Sequence, residues 1–453
     1  MKKNKYSSII QATDMTSDDL RAFFSQLLKK AYTNPEITAN DARAFASLAV
    51  GLDVFLQNYE NKELAVNNLL DGLRKIAEDC GYKKLNVSNK MQQFKTEDVF
   101  EQKKLVTDDG KYLYLGSILG SGGEGTVYKI PSMPGKVAKI YNDRVDISEK
   151  ERHLKAFTHS QIPSKIDNTL IATVPEKGLY TSDGEFVGYL MPQISSQFKI
   201  YDVIRSTSDR IKYFPELDYK GLIVIAYNLA EVVNFMHLHE VIIGDLSLSN
   251  IIVNTDGTVC LIDADSFDIT DSVTKERFPC CVGMAELLAP ELQKAGQLKG
   301  LFTKATDYFS LAIIIFRLLM NNADPFASVS LDNQISSSVN DANSPIYNGE
   351  CAFIKNIPGK RIPHWAPDFD ALPMYIKDLF KRAFDYSSSD YLEKIVKRPT
   401  AEEWMQALMQ YYQEPLKHCQ KDTFHWYRSE LSKCPFCEKK SVEKGSSFIS
   451  IGL

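Results

Sequence analysis

At 453 residues the chain is too long for one ordinary hydrophobic core, which predicts about two to four domains. Its 44% hydrophobic and 25% charged residues are those of a globular protein, and a net charge of −5 argues against nucleic acid as the main partner. The most apolar run, Leu311 to Met320, is too short to cross a bilayer and contains Arg317, so no membrane role is expected.

The N-terminus, M-K-K-N-K-Y-S-S-I-I, lacks the apolar run and small-residue cleavage site of a secretory signal, which predicts a cytoplasmic protein. Residues 1–82 carry apolar residues at helical spacing (Leu20, Phe23, Phe24, Leu27, Leu28, Ala31), with two further amphipathic segments over roughly 38–58 and 62–79. A small helical accessory bundle is expected there. Residues 83–106 are polar and rich in Lys, Gln and Asn, as a linker would be. From 107 the pattern changes to short strands, and from about 220 to helices.

After the strand around Lys111–Leu115 comes G-S-G-G-E-G-T-V. Gly120, Gly122 and Gly125 fit G-x-G-x-x-G, with Val127 two positions on. Such a turn lets backbone amides approach phosphate oxygens that a Cβ would hold off. An isolated match is weak, because a glycine-rich turn is more often just a turn. Flanking strands on both sides favour a phosphate-covering hairpin over a dinucleotide-binding strand–turn–helix.

Lys139 follows in V-A-K-I-Y and is the candidate to hold the α- and β-phosphates, although a solvent-facing strand lysine would read the same way. It needs an orienting carboxylate. The segment D-I-S-E-K-E-R-H-L-K-A-F, with Asp146 as a helix N-cap, offers Glu149 and Glu151. Glu151 shares a helical face with Ile147 and Leu154 and is the expected partner. Y-L-M-P-Q-I (189–194) is expected to end the strand-rich lobe, and the resemblance of these motifs to protein kinases implies Met191 behind an adenine pocket and backbone groups near Gln193 and Ile194 at the adenine edge.

Leu222 to His237 is a long apolar helix, followed by I-I-G-D-L-S-L-S-N and I-I-V-N-T-D-G-T-V-C-L-I-D-A-D. Asp256-Gly257 between two apolar runs predicts a tight hairpin. Thirteen positions separate Asn250 from Asp263, as one such hairpin requires. The resemblance of this loop to the catalytic loop of a protein kinase implies that Asp245 takes the proton of an attacking hydroxyl and that Asn250 and Asp263 supply the hard oxygen ligands that Mg²⁺ or Mn²⁺ needs beside ATP phosphates. Asp265 is a rival metal ligand. Further on come Ala289-Pro290-Glu291, Asp307, D-P-F (324–326) and K-R-P-T-A-E-E (397–403), in which Arg398 is expected to pair with Glu291. Thr400 and Glu403 read as the capping box of a last helix.

Eight cysteines form no disulfide framework, and three of them crowd into the last 35 residues. Cys419, His425, Cys434 and Cys437 make a Cys₃His set suited to tetrahedral, structural Zn²⁺, with His418 as an alternative nitrogen ligand and a redox pair as the plainer alternative.

Over about residues 107–412 these motifs, in this order, resemble the eukaryotic-like (Hanks-type) protein kinase superfamily. G-D-L-x-x-x-N, D-x-D-S-F and the cysteine-rich tail are similar to a divergent bacterial branch, encoded beside type 2C phosphatases and von Willebrand A-type proteins. The resemblance implies an α+β bilobal fold, with a small lobe over about 107–194, a large lobe over about 195–412 and a zinc-binding tail over 413–453. It also implies ATP-dependent phosphorylation of Ser/Thr hydroxyls on a protein substrate, with those two protein types as candidate partners. Thr270, Ser272 and Thr274 fall in the activation segment as candidate autophosphorylation sites.

The sequence also departs from the family pattern. Ile243 replaces the usual histidine, Gly244 the arginine that reads a phosphorylated loop, Ser247 a lysine that steadies the transferring phosphoryl group, and Met284 the usual threonine. Lys139, Asp245, Asn250 and Asp263 all remain, which favours a working enzyme. An ATP-binding pseudokinase serving as switch or scaffold is the alternative, and an adaptor built on the N-terminal bundle and tail is a third.

Overall fold

The computed structural model describes residues 104–438, apart from 197, 205–206, 296, 331–334 and 337–343. The helical bundle expected over 1–82, the linker expected over 83–106 except its last three residues, and the chain beyond 438 lie outside the described residues.

Seven strands make one antiparallel sheet: β1 (Lys104–Thr107), β2 (Tyr112–Tyr114), β3 (Ile118–Ser121), β4 (Gly125–Lys129), β5 (Lys136–Tyr141), β6 (Lys177–Tyr180) and β7 (Phe186–Pro192). Their order is β2-β1-β6-β7-β5-β4-β3. Strand β1 lies inside the segment expected to be linker, and Leu105 is buried with Leu113, Leu179 and Leu190. The small lobe therefore begins at Lys104 rather than 107, because β1 supplies the neighbour that β6 needs.

The alternation in K-V-A-K-I-Y decides which side chains reach the cleft. Ala138 packs into the outer core with Leu190, whereas Val137 and Lys139 lie on the opposite face, with Val127 and Tyr189 paired laterally to Lys139. Helix α1 (Ile147–Ser160) covers part of that face through Leu154, which clusters with Phe186 and Tyr189. Its start is set by Asp146, whose carboxylate accepts from the amides of Ser148 and Glu149.

The large lobe is built on α2 (Tyr219–Leu238) and α3 (Lys304–Leu319), both lined with buried apolar side chains of one continuous core. By length and composition α2 could span a membrane, but its apolar residues are accounted for by that core. Two hairpins follow α2: β8 (Ile251–Val253) with β9 (Val259–Leu261), and β10 (Ile269–Thr270) with β11 (Arg277–Phe278). The first turns at Asp256-Gly257, where Gly257 has φ +84°. Helix α4 (Met374–Phe384) packs on α3, and α5 (Ala401–Gln413) packs along α2. The capping box of Thr400 and Glu403 opens α5. The tail folds back as β12 (Leu416–His418) and β13 (Trp426–Arg428).

Candidate active site

The two lobes enclose a cleft of about 1240 Å³, lined among others by Gly120, Gly122, Lys139, Met191, Asp245 and Asp263. Its roof is the β3–β4 turn, closed by the Gly122 amide donating to the Gly125 carbonyl at 2.9 Å. The glycines divide their work. A Cβ at Gly120 would meet nothing within 4 Å, while one at Gly125 would lie 2.4 Å from the Ile140 carbonyl oxygen. Gly125 is therefore a packing requirement, and Gly120 and Gly122 keep the roof open for a ligand.

The rear wall carries Val127, Val137, Lys139 and Met191, as the strand alternation predicts. At the hinge, Pro192 has no N–H and the Gln193 amide donates to the Gly135 carbonyl at 2.9 Å. Ile194 is left as the amide donor of that stretch with no acceptor among the described residues, so Gln193 offers its carbonyl alone.

Lys139 is buried, and its partner differs from expectation. Its Nζ donates to both carboxylate oxygens of Asp265, at 2.8 and 2.9 Å, and to Asp263 at 3.3 Å. Glu151 is elsewhere: it accepts from the Tyr180 hydroxyl at 3.2 Å and pairs with Lys155 at 2.8 Å. The inner stripe of α1 holds His153, Leu154 and Phe157. Extended back one turn, that stripe reaches Lys150 and not Glu151. The predicted Lys139–Glu151 pair is thus corrected to Lys139–Asp265. The stripe was the sequence signal that could have found Lys150.

Burial alone would lift the Asp265 carboxyl, but the ammonium groups of Lys139 and Lys150 outweigh it and hold the pKa at about 2. Burial would likewise lower Lys139, and the carboxylates of Asp265 and Asp263 raise it instead. Lys139 therefore stays charged.

The floor comes from the loop between α2 and β8. Ile251 pairs with Leu261, and the Ile262 amide donates to the Asn250 carbonyl at 2.9 Å, so the hairpin sets Asn250 beside the segment that enters Asp263. Asp263 has φ +57°, a left-handed conformation held by the Ser266 amide and hydroxyl on its carbonyl. Asn250 donates from Nδ2 to Asp245 Oδ2 at 2.8 Å, whereas Asp245 Oδ1 is buried without a hydrogen-bond partner. Burial raises the Asp245 pKa, partly offset by the Asn250 bond. An unsatisfied carboxylate oxygen of raised basicity is suited to receive a proton from a hydroxyl. The side-chain oxygens of Asn250 and Asp263 are hard donors of the kind Mg²⁺ takes, so the donor set fits that ion.

Asp307, fully buried on α3, fixes this loop. It accepts from the amides of Ile243 at 2.7 Å and Gly244 at 2.9 Å, and lies 2.9 Å from His237 Nε2. Gly244 has φ +73°, and a Cβ there would sit 2.6 Å from both Cβ and Sγ of Cys280. The space an arginine side chain would leave through is therefore filled. Ser247 is buried and its hydroxyl bonds to that of Ser249 at 2.9 Å.

Residues 114–408 match the family described as the protein kinase domain. The chain belongs to the protein kinase family. It is 30% identical over 338 residues to the Escherichia coli K12 protein described as Protein kinase YegI, covering 74% of this chain and 50% of that one. It is also 25% identical over 262 residues to the meiosis-specific serine/threonine-protein kinase mek1 of Schizosaccharomyces pombe, covering 52% and 54%. The chain thus spans about half the length of these curated relatives. With its altered catalytic loop and Cys/His cluster, it is a divergent member of the bacterial Hanks-type branch.

The kinase scaffold residues fall where the sequence set them. Arg398 donates to both oxygens of Glu291, at 2.6 and 2.7 Å, tying the A-P-E segment to the start of α5. Side-chain pairs tie the activation segment to its surroundings. Arg277 donates twice to Asp268, each at 2.8 Å, His159 of α1 lies 2.9 Å from Asp271, and Ser272 Oγ donates to the His159 carbonyl at 2.8 Å.

In the kinase's tail, Cys419, His425, Cys434 and Cys437 place their ligand atoms within 4.8 Å of one another. Cys419 Sγ to Cys437 Sγ is 3.6 Å, and His425 Nδ1 lies 3.4 and 3.7 Å from the sulfurs of Cys437 and Cys434. A tetrahedron of thiolates around Zn²⁺ has edges of about 3.8 Å, so the set fits that ion. His418 is excluded as the nitrogen ligand, because its Nε2 is 2.7 Å from the Thr423 carbonyl on an exposed edge. The cluster is fastened to the head of α2: the Tyr219 amide donates to the Phe424 carbonyl at 2.9 Å, Trp426 Nε1 donates to Asp218 at 2.6 Å, and Phe436 packs on Tyr219.

Proposed function

We propose that this chain is an ATP-dependent protein kinase that phosphorylates Ser/Thr hydroxyls of a protein substrate in bacterial signalling, and that it needs no activation-loop phosphorylation. The observation that carries the proposal is the convergence of Lys139, Asp245, Asn250 and Asp263 on one cleft, with Asp245 Oδ1 unpaired. In the reaction the substrate hydroxyl gives its proton to Asp245. Its oxygen forms a bond to the γ-phosphorus as the bond from that phosphorus to the β,γ-bridging oxygen breaks, and ADP leaves with the electron pair. Lys139 holds the α- and β-phosphates, and the glycine-rich roof covers them. Mg²⁺, held by Asn250 and Asp263, would neutralise charge developing on the phosphate oxygens. The Arg277–Asp268 and His159–Asp271 pairs support independence from loop phosphorylation, since they order the segment that a phosphate-reading arginine otherwise secures. Serine/threonine specificity rests on the family resemblance.

One observation favours the pseudokinase alternative: Ser247, bonded to Ser249, supplies no cation beside the catalytic aspartate. Transfer of labelled γ-phosphate from MgATP decides between them. Transfer that is lost in Asp245→Asn and Asp263→Ala supports the kinase, and tight MgATP binding without transfer supports the switch.

A further inference from the structure

Behind the nucleotide cleft lies a lysine that none of the steps above uses. Lys150 projects from the inner stripe of α1, with its side chain largely buried. Its Nζ lies 2.7 Å from Glu124 Oε2 and 3.9 Å from Asp265 Oδ2, and 5.4 Å from the centre of the Tyr141 ring. Glu124 belongs to the glycine-rich roof and lines the cleft together with Gly122, Gly123 and Lys139. A free carboxylate there would repel ATP. Asn142 also ties the roof backbone, donating from Nδ2 to the Gly123 carbonyl at 2.6 Å and from its amide to the Glu124 carbonyl at 2.9 Å, but neither bond offsets the charge of the Glu124 carboxylate.

The charges close in pairs. Lys139 and Lys150 offset Asp265 and Glu124, which leaves Asp263 for metal and Asp245 for the proton. The orienting carboxylate that α1 was expected to supply instead comes from the segment after Asp263, and α1 supplies a cation in its place. The pairing therefore keeps its logic with the signs exchanged between helix and loop.

We propose that Lys150 is a positioning residue for nucleotide: it neutralises Glu124 and ties the glycine-rich roof to helix α1, so that the roof closes over the phosphates without electrostatic repulsion. This rests on the nucleotide-binding part of the kinase reading, not on phosphate transfer. Lys150 acts through Glu124 and does not line the cleft itself.

The test is a double-mutant cycle on the full chain, with MgATP affinity measured by titration calorimetry. Lys150→Met should weaken MgATP binding roughly tenfold or more, because Glu124 is left unneutralised. Adding Glu124→Gln to Lys150→Met should restore affinity to within about threefold of wild type, and Lys150→Arg should bind as wild type does. Wild-type affinity in Lys150→Met would overturn the proposal. So would an equal loss with and without Glu124→Gln, which would mean direct phosphate contact or a merely structural role.

Glu124→Gln alone leaves α1 intact and gives a second readout if Lys150→Met does not fold. Amide exchange over Gly122–Thr126 should accelerate in it, and unchanged exchange would refute the tether. A wild-type chain that binds MgATP but transfers no phosphate would end the transferase reading and leave this proposal standing. A chain that binds no MgATP would overturn both.

Discussion

Gly244 replaces the phosphate-reading arginine, and the structure ties that loss to space as well as to regulation. In Gly244→Ala the residue keeps φ +73°, a left-handed conformation that costs an L-residue about 1–2 kcal/mol. Its Cβ also arrives 2.6 Å from Cβ and Sγ of Cys280, well inside contact distance, and Cys280 is buried against Phe302 and Leu288. Overpacking of that kind costs about 1–3 kcal/mol, for a total of about 2–5 kcal/mol. The two costs separate in a cycle. Cys280→Gly removes both clashing atoms, so Gly244→Ala in that background should cost only the conformational part, about 1–2 kcal/mol. The coupling between the two sites should then be about 1–3 kcal/mol. Denaturant unfolding of the four proteins gives each value. Strictly additive effects would refute the steric argument and return the missing arginine to regulation alone. A Gly244→Arg chain as stable as wild type would refute it as well.

Asp265 sits at about 2 against an ordinary 3.8, so at neutral pH its pairing with Lys139 and Lys150 contributes on the order of 2 kcal/mol. A depressed carboxylate contributes above its unfolded pKa, so this stability should be complete above about pH 4 and disappear as pH falls through about 2. Asp265→Asn should lower neutral-pH stability by about that amount while Glu151→Gln costs under about 0.5 kcal/mol, and the reverse ranking in thermal melts would contradict the revised pairing. Asp245 must be ionised to accept a proton and its pKa is raised, so kcat/KM should climb with pH through a value above the ordinary carboxylate pKa of 3.8; a limb at or below 3.8 would remove it as the base. Stripping metal from the tail should release one Zn²⁺ per chain and destabilise the large lobe by several kcal/mol, because Cys419, Cys434 and Phe436 belong to its core. Metal analysis and unfolding before and after chelation check this, and an unchanged melt would make the cluster dispensable.

Features whose cause is local were legible in the sequence. Asp256-Gly257 dictated a tight hairpin, and that hairpin set Asn250 against the entry to Asp263. Asp146 and the Thr400–Glu403 box fixed helix starts, since a cap needs only a side chain within three residues of the amide it serves. The alternation of β5 put Lys139 on the cleft face, and the Cys-x-x-Cys spacing marked the metal cluster.

What escaped the sequence depends on where distant segments meet. Glu151 and Lys150 differ by about 100° around α1, and the sequence carries two candidate stripes there, one through Ile147, Glu151 and Leu154 and one through Lys150, His153 and Phe157. Packing of His153, Leu154 and Phe157 chose Lys150, and the carboxylate for Lys139 had to come from Asp265, 126 positions away in sequence. His425 was the expected nitrogen ligand with His418 as the alternative, and the fold bears out the first: His418 faces Thr423 on an edge and His425 the sulfurs. Asp307 reads as the opening of a helix, and only the fold brings it under the amides of Ile243 and Gly244. The sequence by itself determined the elements, the turns and the chemical groups at hand. The tertiary structure decided which charge meets which, because ion pairs and close contacts are settled by side-chain direction across elements, and no local rule encodes that.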